Sequence, residues 1–194
     1  MPVLRSPQPA PASPHPGACA AHPLAHRILA RARMLIGTPF HHQGRVPGRG
    51  LDCVGLVLVI ARDLGLTAFD CTSYPREPRP ALLFAHARQA GFVEKPLARA
   101  AGGDVLVMRF FEDPCHVAIA TEGLAGIIHA CARRGRVIEH RLDRRWRRRI
   151  TGCLAFPPPD GSAGQARPGL DPGPPNDANA GGHPPTTFVR HPPA

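Results

Sequence analysis

The sequence predicts an α+β fold in which N-terminal helices precede an antiparallel sheet of about five or six strands. Three observations lead to this prediction. Apolar residues recur at helical spacing early in the chain, and short β-branched runs separated by glycine-containing turns follow after residue 102. Both ends of the chain are rich in proline. The apolar pattern therefore confines the folded domain to the middle of the chain.

The two ends are predicted to be disordered. Residues 1–23 contain seven prolines, and residues 157–194 contain eleven prolines and six glycines. Neither segment shows apolar periodicity, so neither can bury enough surface to offset the entropy cost of ordering. We predict a Pro-rich disordered segment at 1–23, one domain at 24–156, and a Pro/Gly-rich disordered tail at 157–194.

Three helices are expected in the first half of the domain. The first has apolar residues at helical spacing and ends at Gly37-Thr38-Pro39. The second begins after Asp52, a favourable N-cap residue, and runs to about Leu64 before Gly65. It is apolar on most faces, so we expect it to be buried centrally. A third helix is predicted over 81–90.

The second half of the domain is predicted to form an antiparallel meander. Gly102-Gly103 precedes the first apolar run, Glu122-Gly123 forms a turn, and Gly135 suits a hairpin. The β-branched and apolar runs between these breaks predict strands at 104–108, 115–121, 126–129, 137–140 and 150–156.

Cys53 is the candidate nucleophile because it lies where a loop meets the buried helix. A helix N-terminus presents free backbone N–H groups and the positive end of the dipole, which favour a thiolate. His116 begins one strand and His129 ends another, so a base and an orienting group are available. The pattern indicates a Cys-His-His hydrolase.

Other roles for these residues are less consistent with the pattern. Cys53 could fill the core, and the two histidines could be buried residues with satisfied hydrogen bonds. Cys115 and Cys131 lie on predicted strands without a helix terminus, so we assign them to packing. The sequence has no CxxC pair and no HExxH motif, so we expect neither a metal nor a cofactor.

The net charge of +10 comes almost entirely from arginine. Nine arginines lie between Arg133 and Arg149, against Glu139 and Asp143. This segment could contact phosphates, an anionic wall polymer or an acidic protein, or it could be a solvated surface. We do not expect nucleic acid as a partner, because the chain has one Trp and one Tyr for base stacking.

The N-terminal residues lack the apolar core of a secretory signal, and no apolar run is long enough to span a membrane. We therefore expect synthesis in the cytoplasm, with reduced thiols and without a signal peptide.

Five segments together resemble the NlpC (NlpC/P60) family of bacterial and phage cell-wall cysteine peptidases. Their order along the chain carries the likeness: Gly37-Thr38-Pro39-Phe40, Leu51-Asp52-Cys53-Val54-Gly55-Leu56, Gly103-Asp104-Val105-Leu106, His116-Val117-Ala118-Ile119 and Ile128-His129-Ala130. The resemblance implies a papain-like fold. The loop from Gln43 to Arg45 and the residues after it most resemble the subgroup encoded with phage tails and gene transfer agents.

The resemblance also implies a role for each site residue. Cys53 would be the nucleophile, His116 the general base and then the acid, and His129 the group that orients His116. Asp52 would cap the helix and contact a substrate amine. Phe40 stands where the family commonly has tyrosine, so a hydroxyl is missing from the substrate-binding surface there.

By this resemblance the chain would be a cysteine endopeptidase that hydrolyses peptidoglycan stem peptides at the bond from γ-D-glutamate to a diamino acid. It would act in the periplasm as part of a phage-tail-like particle, with tail structural proteins as partners. Two alternatives remain open. The chain could be a weakly catalytic structural hub of a tail tip, or a thiol amidase or acyltransferase with another substrate.

Overall fold

The computed structural model describes residues 23–76, 80–110 and 114–159. The predicted disordered segments lie outside these ranges, except for Pro23 and residues 157–159. The described residues form four helices: α1 (Pro23–Met34), α2 (Cys53–Asp63), α3 (Pro80–Gln89) and the four-residue α4 (Arg144–Arg147). None of these helices is long and apolar enough to cross a membrane.

Six strands form one antiparallel sheet, and two short strands form a hairpin beside α2. The hairpin pairs β1 (Arg45–Val46) with β2 (Gly50–Leu51). The sheet contains β3 (Val93–Lys95), β4 (Val105–Arg109), β5 (Pro114–Ala120), β6 (Gly126–Cys131), β7 (Arg136–Arg141) and β8 (Ile150–Ala155). Its order is β3-β8-β4-β5-β6-β7. The predicted α+β class with a six-stranded sheet is confirmed.

The predicted meander is wrong at its last strand. Strands β4 to β7 are neighbours in chain order, but β8 returns across the sheet and pairs with β4. Strand β3 pairs with the other side of β8 and forms the edge of the sheet. Strand β4 explains this order, because Val105 to Met108 are all buried. A strand buried on both faces belongs in the interior of a sheet, with a neighbour on each side.

Helix α2 is the central element of the core. Every residue from Gly55 to Ala61 is buried, and the helix packs against β5 and β6. Gly55 is required because a Cβ atom there would lie 2.0 Å from the backbone oxygen of Gly44. This close approach holds the preceding loop against the first turn of α2, which begins with Cys53.

Candidate active site

Asp52 fixes the start of the helix that carries the candidate nucleophile. Its backbone is extended, and its Oδ1 accepts a hydrogen bond of 2.7 Å from the N–H of Gly55. Its Oδ2 accepts bonds of 2.7 Å from the N–H of Gln43 and from the hydroxyl of Tyr74. The predicted N-cap is confirmed. Asp52 is 3% exposed, so its carboxylate acts on neighbouring groups at low dielectric.

Cys53 is the first residue of α2, is half-buried and lines a cleft. Burial raises the pKa of its thiol to about 12, and the charge of Asp52 adds to this effect. Hydrogen bonds from backbone N–H groups, including that of Val117 on β5, act in the opposite direction. The helix terminus therefore favours the thiolate as expected, but desolvation outweighs it and the net shift of the pKa is upward.

His116 and His129 lie on neighbouring strands, β5 and β6, and are directly hydrogen-bonded. The Nε2 atom of His116 is 2.7 Å from the Nδ1 atom of His129. His129 is almost fully buried, at 1% exposure, so its ring position is fixed by packing. The other nitrogen of His116, Nδ1, is left free of this bond.

The hydrogen-bonded line continues to a third histidine. The Nε2 atom of His129 lies 3.1 Å from the Nε2 atom of His140, which is on β7. The Nδ1 atom of His140 lies 2.9 Å from the backbone oxygen of Arg141. Three rings on three consecutive strands therefore connect the cleft to a backbone carbonyl.

For three neutral rings, this carbonyl determines where each proton lies. A carbonyl oxygen only accepts, so the Nδ1 atom of His140 must carry the hydrogen. In a line of neutral rings, His140 then accepts at Nε2, His129 donates from Nε2 and accepts at Nδ1, and His116 donates from Nε2. In this arrangement Nδ1 of His116 is unprotonated and can accept a proton, as a general base does.

Burial keeps the first two rings neutral. It lowers the pKa of His116 to about 4 and that of His129 to about 3. Charge on the neighbouring histidines lowers the pKa of His129 further, since two adjacent imidazolium ions repel each other. The site therefore holds a protonated thiol and a neutral base before substrate binds.

Sequence analysis missed His140, Trp146 and Tyr74. The Trp146 ring contacts His140 and His129, with ring centroids 4.7 and 5.2 Å apart, and so covers the line of histidines. A signal for His140 was present, since the β6–β7 hairpin pairs His140 with Ile127, which shares a strand face with His129. No sequence pattern indicates that Tyr74 bonds Asp52.

All five predicted site residues line one cleft of about 710 Å³: Phe40, Asp52, Cys53, His116 and His129. The ring of Phe40 contributes an apolar wall. The hydroxyl of Tyr74 lies in the same cleft, although it comes from the loop after α2. The residues predicted to act together are therefore brought together by the fold.

The other cysteines are placed differently. Cys131 is half-buried at the end of β6 and also lines the cleft, whereas the Sγ atom of Cys71 lies 3.6 Å from the Nε2 atom of His86. The side chain of Cys115 lies outside the described residues. Within the described part of the chain, no group of three His, Cys, Asp or Glu residues is arranged to hold a metal ion.

The fold and the cleft define a class: a papain-like α+β domain of the NlpC/P60 type, with a cysteine at a helix start in the same cleft as two sheet histidines. An NlpC/P60 family protein from Bacillus cereus is similar, with a TM-score of 0.52 and 20% identity over 69% of this chain. The chain spans 40% of that protein's length. This likeness establishes the fold.

Two further solved structures are similar at lower TM-scores. The NlpC/p60 domain of the peptidoglycan hydrolase SagA has a TM-score of 0.49 and 25% identity, over 68% of this chain and 98% of that one. RipD from Mycobacterium tuberculosis is described as a non-catalytic NlpC/p60 domain protein. It has a TM-score of 0.44 and 18% identity, over 69% of this chain and 97% of that one. No family model matches the sequence, and no curated protein matches it either.

Proposed function

We propose that this chain is a cysteine peptidase of the NlpC family that hydrolyses amide bonds in peptidoglycan stem peptides. One observation carries the proposal. Cys53 begins a buried helix in the same cleft as His116, and His116 is held by a line of hydrogen-bonded histidines. The NlpC/P60-type fold supports the choice of substrate class.

The reaction begins with attack of the Cys53 sulfur on the substrate carbonyl carbon. Because the resting thiol is protonated, its proton passes to Nδ1 of His116 as the carbon–sulfur bond forms. His129 stabilises the imidazolium by accepting the hydrogen bond from Nε2 of His116. The backbone N–H of Cys53, at the free end of α2, donates to the developing oxyanion.

Collapse of the tetrahedral intermediate breaks the amide bond. His116 donates its proton to the departing amine, and the acyl group remains on Cys53 as a thioester. Neutral His116 then takes a proton from a water molecule, which attacks the thioester and releases the carboxylic acid. The proton returns to the sulfur, and the site regains its resting state.

The bond from γ-D-glutamate to a diamino acid is the proposed point of cleavage. In this assignment Phe40 contacts the apolar part of the peptide and Asp52 lies near a substrate amine. Both oxygens of Asp52 already accept hydrogen bonds within the protein, so an amine would have to share them.

Hydrolysis of a γ-D-glutamyl-diaminopimelyl peptide tests the proposal. We expect turnover by the wild type and none above background by Cys53→Ala. Cys131→Ala is the matched control, because it removes another half-buried thiol from the same cleft and is expected to retain activity. Absence of turnover by the wild type, or equal turnover by wild type and Cys53→Ala, would refute the proposal.

The apolar ring of Phe40 in the cleft, where the family commonly has tyrosine, favours a second candidate, a structural hub that retains the fold without efficient catalysis. For either candidate, we propose that the chain assembles into a phage-tail-like particle that acts in the periplasm. The proposal rests on the resemblance of the loop that follows Gln43 to the subgroup encoded with phage tails. Detection of the chain in purified particles from the producing cell would support this context. Recovery only as free protein would contradict it.

A further inference from the structure

A second depression adjoins the cleft and is lined by arginine alone. Its volume is about 480 Å³, and its five side chains come from two parts of the fold: Arg109, Arg144, Arg145, Arg148 and Arg149. Arg109 ends β4, and the others lie on α4 and just after it. We call this depression the arginine basin.

The two parts of the arginine basin are held together. The N–H of Arg109 donates to the backbone oxygen of Arg149 over 2.8 Å, and the Arg149 guanidinium donates to the backbone oxygen of Arg109 over 3.3 Å. The same guanidinium lies 4.6 Å from the centre of the Phe110 ring. Arg149 is therefore a positioned cation, in contrast to a freely moving surface side chain.

The charge of the arginine basin is not neutralised by described residues. In the ranges that the structure describes, none of its five arginines forms an ion pair, whereas Arg31, Arg33 and Arg45 all pair with carboxylates. Asp143 is nearest in sequence, and its Oδ1 accepts the N–H of Trp146 as the cap of α4. Several like charges in a small volume repel one another, so a bound anion would be stabilised there.

The arginine basin lies next to the cleft of the candidate active site. Arg145 and Arg149 line both the basin and the cleft that contains Cys53. An anion bound there therefore lies beside the substrate path, where an anionic group of the substrate itself can reach it.

We infer that the arginine basin binds free carboxylates of the peptide substrate. The inference rests on the proposed function and deepens it. A γ-glutamyl amide leaves the α-carboxylate unblocked, and a diamino dicarboxylic acid adds at least one more carboxylate beside the scissile bond. Guanidinium groups bind carboxylates through two parallel hydrogen bonds, which gives orientation as well as affinity.

Binding is measured separately from catalysis, by calorimetric titration of the full chain carrying Cys53→Ala. The two ligands are the γ-D-glutamyl-diaminopimelyl peptide as the free acid and the same peptide with its carboxylates amidated. The basin variant is Arg145→Gln with Arg148→Gln. Its matched control, Arg27→Gln with Arg134→Gln, removes the same charge from exposed arginines outside the basin.

We expect the basin variant to raise the Kd of the free-acid peptide roughly 10- to 100-fold, as for loss of one or two charge-assisted hydrogen bonds. The control variant is expected to change it less than about 2-fold. The amidated peptide is expected to bind weakly to all forms, without sensitivity to the basin variant. Lysine at both basin positions is expected to recover part of the affinity, since charge persists without the bidentate geometry.

Two results would overturn the inference. One is equal affinity of the free-acid peptide for the basin and control variants. The other is loss of affinity for a poly(ribitol phosphate) probe in the basin variant with no loss for the peptide, which would assign the basin to wall-polymer phosphate. Basin-dependent binding without wild-type turnover would instead leave the inference standing and refute the hydrolase proposal.

Discussion

The floor of the cleft and its rim differ in how they carry charge. On the floor, burial keeps the Cys53 thiol and the rings of His116 and His129 neutral. On the rim, the arginines Arg144, Arg145 and Arg148 are exposed. The difference separates two tasks, since neutral buried groups can exchange protons during bond breaking while hydrated cations attract the substrate.

The largest expected effect is on the floor, at His116. His116→Ala removes the base proposed to take the thiol proton, so kcat should fall by about 10³-fold or more with little change in KM. Steady-state hydrolysis of the γ-D-glutamyl-diaminopimelyl peptide checks this. A loss below about 10-fold would show that proton transfer from Cys53 uses another group.

The next largest effect is a difference in kcat between substitutions of His129 and of His140. We expect His129→Ala to lower kcat by about 10²-fold and His140→Ala by about 10-fold, because each step along the line acts more indirectly on His116. His140→Gln retains an acceptor for the Nε2–H of His129 and should recover most of the activity. If His140→Gln were as impaired as His140→Ala at equal stability, His140 would not set the tautomer of His116.

A smaller effect is expected on the pH dependence of the free energy of unfolding. The folded-state pKa values of about 4 for His116 and about 3 for His129 lie below the ordinary value of 6.5. The unfolded chain therefore takes up these protons first, so stability is fully present above about pH 6.5 and is lost as the pH falls towards 3.

Urea unfolding at pH 7 and pH 4.5 measures this loss. The decrease should be smaller in His129→Gln, which has no titrating ring at the buried position. An equal decrease in both proteins would mean that His129 is not the group responsible.

The smallest effect is expected on the rim. Raising the salt concentration from 20 to 500 mM should increase KM by a few-fold, because solvated charges are screened, while kcat stays nearly constant. The basin variant Arg145→Gln with Arg148→Gln should show a weaker salt dependence. A salt effect on kcat of the same size would contradict the separation of floor and rim.

The structural elements that could be predicted from the sequence are those that depend on residues close together in the chain. Asp52 as N-cap and the buried helix behind it follow from capping chemistry and apolar residues within a few positions of each other. The position of β8 next to β4 could not be predicted in this way, because pairing between distant strands depends on the burial of both faces of β4.

The same distinction holds within the site. The order of motifs was enough to select Cys53, His116 and His129, which the fold brings to one cleft. The protonated state of Cys53 was not predictable, because desolvation depends on the elements packed around the helix start. The run of arginines was visible in the sequence, but its position beside the cleft depends on the contact between α4 and the end of β4.

The central claim is that a line of neutral histidines leaves Nδ1 of His116 free to accept the proton of Cys53. Nitrogen-15 NMR of the histidine rings at pH 7 tests it most directly. The account predicts neutral rings with hydrogen on Nε2 of His116, on Nε2 of His129 and on Nδ1 of His140. Hydrogen on Nδ1 of His116, or on both of its nitrogens, would contradict the account.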